Sequence, residues 1–81
     1  MHLEIVTPEN KIFEGEVAIV TFPGTDGSFQ VMDHHAAMIS LLKDGVVVYK
    51  SKEMKQEVRI TGGVVEVLNN KVIVLADGII I

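Results

Sequence analysis

The sequence predicts an all-β fold, a small sandwich or barrel forming one domain over residues 1–81, on three observations. First, 13 valines and 9 isoleucines make up over a quarter of the 81 residues. β-Branched side chains pack well on a pleated surface and lose rotamer freedom in a helix. Second, short stretches of alternating polarity recur along the chain, separated by turn-forming residues. Third, no long run carries the i, i+3, i+4 apolar spacing of an amphipathic helix.

The elements follow in order. "HLEIV" puts Leu3 and Ile5 on one face and His2 and Glu4 on the other. Pro8-Glu9-Asn10 is a turn, and "KIFEGEV" and "AIVTF" are the next two strands. Pro23-Gly24 with Asp26-Gly27 read as turn residues ahead of the strand "SFQVM". The segment "MDHHAAMISLLKDG" admits two readings. In one, Asp33 caps a short helix favoured by Ala36 and Ala37 and closed by Gly45. In the other, a turn over residues 33–37 leads into a strand "MISLL", which the following Val46-Val47-Val48 favours. Asp44-Gly45 reads as a turn before "VVVYK", and Gly62-Gly63 as a turn between "EVRIT" and "VVEVL". In "EVRIT", Val58 and Ile60 face inward while Glu57, Arg59 and Thr61 face out. "LNNKV" is a tight hairpin, because Asn tolerates the positive φ that two-residue turns require. "KVIVLA" follows it.

In "VVVYK", "VVEVL" and "KVIVLA" apolar side chains occupy both strand faces. A sandwich covers only its inner faces, and the chain has no helices to lay over the outer ones. Either these strands close into a barrel or an apolar outer face meets a partner. A partner also suits the size of the chain, since domains this small bury a modest core and gain from assembly. With no cysteine, disulfides and thiolate metal sites are excluded.

The formal charge of −4 and the lack of a basic stripe with aromatics argue against nucleic-acid binding. No apolar run approaches the ~20 residues of a membrane span, and "MHLEIVTPEN" has no signal-peptide pattern. Asp33-His34-His35 invites a metal reading, but neighbouring residues of a strand point to opposite faces and further ligands are scarce. Ser28, Ser40 and Ser51 lie outside any nucleophile elbow, and "PGTDG" lacks the Lys-Ser/Thr ending of a phosphate loop. The expectation is a protein without catalytic, cofactor or metal residues.

The order "LEIVTPENKIFEGEV", "FPGTDGSFQV", a histidine-containing turn, "LLKDGVV" and "ITGGVVEVLNNKVIVLAD" resembles the N-terminal domain of the epsilon subunit of F-type ATP synthases over residues 2–78. The resemblance implies a flattened β-sandwich of about eight to ten short strands, with no C-terminal helical hairpin in a sequence that ends at "LADGIII". In many family members that hairpin follows. It inhibits ATP hydrolysis in some bacteria and binds ATP in some.

The resemblance further implies a non-catalytic rotor subunit of the central stalk, coupling ion flow to ATP synthesis. Its partners would be the gamma subunit and the c-ring, at the cytoplasmic face of a bacterial inner membrane and without a span of its own. By position, Asp26, Ser28 and His35 match the c-ring-facing loops. Thr7, Met38, Ile39, Ser40 and Gly62 match segments turned toward gamma. The family's Pro-Gly-His-Ala-Pro turn reads Asp33-His34-His35-Ala36-Ala37 here, without its prolines and glycine. The tail Ile79-Ile80-Ile81 is expected to form a last strand or to pack on gamma. An unrelated β-sandwich interaction module is the alternative, with short extended peptides as its ligands.

Overall fold

The computed structural model describes residues 1–80. Among the described residues eight strands follow one another: β1 (His2–Val6), β2 (Lys11–Glu16), β3 (Ile19–Gly24), β4 (Gly27–Met32), β5 (Met38–Lys50), β6 (Lys55–Leu68), β7 (Lys71–Ala76) and β8 (Ile79–Ile80). They are joined in the order β2-β1-β7-β6-β5-β3-β4, with β8 added to β6. β1 and β7 run parallel, whereas every other pair is antiparallel.

β5 and β6 organise the rest. They pair from Met38↔Val67 to Lys50↔Lys55 in one register, with only Lys43 and Gly62 between Leu42↔Gly63 and Asp44↔Thr61 left unpaired. β7 pairs with β6 over Gly63–Leu68, and β8 takes the same edge at Arg59 and Ile60. β3 pairs with β5 from Ile19↔Lys50 to Thr21↔Val48. The long hairpin therefore serves two layers. One contains β2, β1, β7 and the outer halves of the hairpin strands, the other β8, the turn-proximal halves, β3 and β4.

Side chains from both layers meet in one core. Leu3, Ile5, Val65, Val67, Val72 and Val74 point in from the first layer, and Val20, Phe22, Val31, Val47 and Ile60 from the second. Phe13 of β2 packs on Tyr49 of β5 across the gap, ring centroids 4.5 Å apart. Phe22 and Phe29 make a cross-strand pair at 5.4 Å within the second layer. No side-chain polar atom buried among the described residues lacks a partner.

Three expectations are corrected. Asp44-Gly45 and Gly62-Gly63 are not turns between separate strands: β5 and β6 continue through both. The glycines instead permit a bend. Gly62 and Gly63 have φ of 91° and 150°, and a Cβ on Gly63 would run into the Leu75 carbonyl oxygen. Pro23-Gly24 is likewise no turn but the end of β3. Pro23 and Gly24 pair with Ser28 and Gly27, leaving Thr25-Asp26 as the turn. Proline has no N–H to give the opposite neighbour, and the β3–β5 register breaks between Thr21 and Gly24.

Other expectations hold. Residues 33–37 form a turn and extended link, not a helix, with His34 at φ 63°. Asn69 and Asn70 take φ of 51° and 61° in a two-residue hairpin turn. Ile79 and Ile80 form a last short strand, while Ile81 lies outside the described residues.

Gly63→Ala is expected to destabilise the protein by about 2 kcal/mol or more, a fall in Tm of roughly 10 °C. Gly27→Ala, at φ 126° with nothing within 4 Å of the added Cβ, costs about 1 kcal/mol from backbone strain alone. Thermal unfolding of the two variants side by side checks the difference.

Candidate interaction face

The two layers differ on their outer sides. Because side chains alternate along a strand, the outward residues of the first layer follow from the register. Leu41 stands opposite Val64, Val64 opposite Leu75, and Leu75 opposite Val6, so a row of four apolar side chains crosses β5, β6, β7 and β1. The next row is Ile39, Glu66, Ile73 and Glu4, ending on Glu14 of β2. Ile39 and Leu41 are 71% and 63% exposed, Leu75 and Leu68 53% and 51%. Contiguous exposed apolar side chains of this kind mark interaction sites. The outer side of the second layer mixes Val46, Val48, Ile19 and exposed Met32 and Ile80 with Thr21, Gln30, Glu57 and Arg59, so its apolar groups alternate with polar ones.

The residues matched to the gamma side border this face unequally. Ile39 projects from it. Met38 and Ser40 are partly buried on the opposite side of β5, and Met38 packs on the core. Thr7 and Gly62 lie at the bend. Gly78 accepts from the Thr61 amide and shares a shallow groove with Thr7, Glu9, Asn10, Ile12 and Ile79. The apolar row from Val6 to Leu41 runs between Thr7 at one side and the segment of Ile39 and Ser40 at the other. Sequence reading noted the two-faced strands but missed Leu41, Val64, Leu75 and Glu66. Strand parity within "MISLL", "VVEVL" and "KVIVLA" was the signal that could have found them.

The residues matched to the c-ring are separated. Asp26 and exposed Ser28 sit at the β3–β4 hairpin, where the Thr25 amide donates to the Leu41 carbonyl near the bend. His35 lies past the far end of β4, its amide donating to the Met32 carbonyl. About 17 Å of strand lies between Gly27 and Met32. Asp33, His34 and His35 do not converge either. Asp33 accepts from the Met1 ammonium at 2.6 Å, the His34 amide donates to the Asn70 side-chain oxygen at 2.9 Å, and the His35 Nδ1–H donates to the Ala36 carbonyl at 2.7 Å. Among the described residues no group of three histidine or carboxylate side chains is placed to hold a metal.

A charged strip closes the first-layer face at its β1–β2 edge. Lys11 Nζ is 2.5 Å from Glu14 and 3.2 Å from Glu4. His2 contacts Glu14 at 2.9 Å and Glu16 at 3.2 Å. The hydrogen bond from Lys11, then that from His2, holds the Glu14 carboxyl below its ordinary range. Asp33 is lowered by its bond to the Met1 ammonium and by that group's charge.

Residues 1–81 match the family described as the ATP synthase, Delta/Epsilon chain, beta-sandwich domain. The chain is 44% identical over 79 residues to the ATP synthase epsilon chain of Campylobacter concisus, covering 96% of this chain and 61% of that one. It is 40% identical over 78 residues to the epsilon chain of Helicobacter pylori, covering 96% and 63%. The chain thus spans about three-fifths of the length of these relatives. Its fold is that of a chain in the Euglena gracilis mitochondrial ATP synthase (OSCP/F1/c-ring), with TM-score 0.89 at 21% identity, covering 96% of this chain and 51% of that one. A chain in the Tetrahymena thermophila central stalk/c-ring structure gives 0.83 at 18%, covering 98% and 64%.

Both lowered carboxyls contribute stability above their unfolded pKa that is lost as pH falls through the folded value. The denaturation midpoint is therefore expected to drop as pH falls below the ordinary carboxylate range. Asp33→Asn and Glu14→Gln should each flatten that drop, as read in urea titrations across acidic pH.

Proposed function

The chain belongs to the ATP synthase delta/epsilon β-sandwich family, and from that premise we propose that it works as a non-catalytic central-stalk subunit. In this reading the outer face of the first layer docks on the gamma subunit. The docked domain then helps couple ion flow through the c-ring to ATP synthesis at the cytoplasmic face of a bacterial inner membrane. The observation that carries the reading is the apolar row Leu41, Val64, Leu75 and Val6 with exposed Ile39 beside it. A stalk subunit needs a broad, rigid patch, because it transmits force through contact and not through a pocket. A sheet face supplies this: its backbone is held by pairing on both sides, so docking has to order side chains but little main chain.

The polar ends suit a second contact. Asp26 on the β3–β4 turn, Ser28 beside it in β4 and His35 past the far end of β4 are exposed polar groups, suited to meet the polar loops of a c-ring. Because they lie at different ends, we assign ring contact to one end at a time. His35→Ala and Asp26→Ala, measured separately in reconstituted rotor complexes, tell which end carries it: the variant that loses c-ring retention marks the end. Equal retention by both removes these residues from the ring contact.

The experiment on the main claim is co-purification with gamma. Leu41→Asp, on the exposed side of β5, is expected to fold with a near-unchanged Tm and to lose gamma by a factor of 100 or more, about 3 kcal/mol. Val46→Asp on the outer side of the second layer is expected to keep it. Binding of short extended peptides without binding of gamma would instead support an unrelated interaction module.

A further inference from the structure

Glu66 occupies an unusual position for a carboxylate. In the outer lattice of the first layer its cross-strand neighbours are Ile39 and Ile73, and Val64 and Leu68 flank it along β6. All four nearest outward positions are apolar. Glu66 and Leu68 form a ridge between two shallow grooves, one reaching Ala37 and Ile39 and the other Asn69 and Ile73. Among the described residues the carboxylate belongs to no ion pair. Lys11 is engaged by Glu4 and Glu14, and Lys71, diagonal to Glu66 across β6 and β7, is not within 4 Å of it.

Resting on the function proposed above, we infer that Glu66 is the specificity-determining residue of this face, and that the gamma surface seated there carries a lysine or arginine facing it. The reason is desolvation. A partner that covers Ile39, Val64, Leu68 and Ile73 also removes water from the carboxylate at their centre. A buried carboxylate without a cation or donor opposes association, whereas one matched by a cation selects for it. The charge balance of the face agrees. Glu4, Glu14, Glu16 and Glu66 project from it against Lys11, Lys71 and His2, so the complementary surface is basic at its middle and apolar around it. Arginine suits the position best, because its planar fork engages a carboxylate with two hydrogen bonds while its stem covers neighbouring apolar groups.

The test is titration of the gamma subunit of the same enzyme with the unmutated protein, Glu66→Gln and Glu66→Leu, at low and high salt. Glu66→Gln is expected to weaken binding about 10- to 100-fold and to flatten its salt dependence. Glu66→Leu is expected to weaken it at least as much, although it enlarges the apolar face. Tm values of the free variants, expected unchanged, separate lost pairing from lost folding. Equal or tighter binding by either variant overturns the pairing while leaving gamma docking in place. No binding by the unmutated protein overturns the docking proposal itself.

Discussion

The shared ladder of β5 and β6 is the constraint on which the structure depends. A single register from Met38↔Val67 to Lys50↔Lys55 crosses from one layer to the other. Every strand on its flanks takes its position from it: β7 and β8 along β6, β3 along β5, then β1 and β4 beyond them. A one-residue slip would turn Val65, Val67, Val47 and Tyr49 from core to solvent in both layers at once. The buried residues on the two halves of this hairpin therefore hold one register between them.

The bend makes this possible at a local cost. A flat ladder of this length would have no second layer to cover its apolar inner side, so both strands must turn where the layers meet. Gly62 and Gly63, at positive φ, and Gly45, whose missing Cβ leaves room for the Pro23 ring, sit at that crossing. The same bend shapes the outer surface of the first layer. It brings Thr7, Gly62 and Gly78 to one end of the first layer and leaves the row from Leu41 to Val6 as an open surface between the bend and the β6–β7 turn.

Much of the fold was legible in the chain. Alternation in "HLEIV" and "EVRIT", the Asn69-Asn70 turn and the link over residues 33–37 are local signals, and the structure repeats them. The glycine pairs were misread because a glycine at positive φ serves a turn and a strand bend equally well. Only the long-range pairing of β5 with β6 separates the two. The same limit hid the face. Apolar residues on both sides of "VVEVL" and "KVIVLA" fit either a closed barrel or an open surface, and the choice depends on what lies opposite. The exposure of Ile39, Leu41 and Leu75 decides for the open surface. Met38 and Ser40 show a further limit: position relative to a family motif selects a segment, but strand parity selects which of its side chains point outward.

The central claim is that the first-layer outer face meets gamma. Methyl NMR on the isotope-labelled protein, with and without unlabelled gamma, tests it most directly, because methyl groups mark both outer faces. The account predicts large shifts for Ile39, Leu41, Val64, Leu68, Ile73 and Leu75, with Ile19, Val46, Val48 and Ile80 unmoved. The reverse pattern, with shifts confined to the second layer, would contradict it.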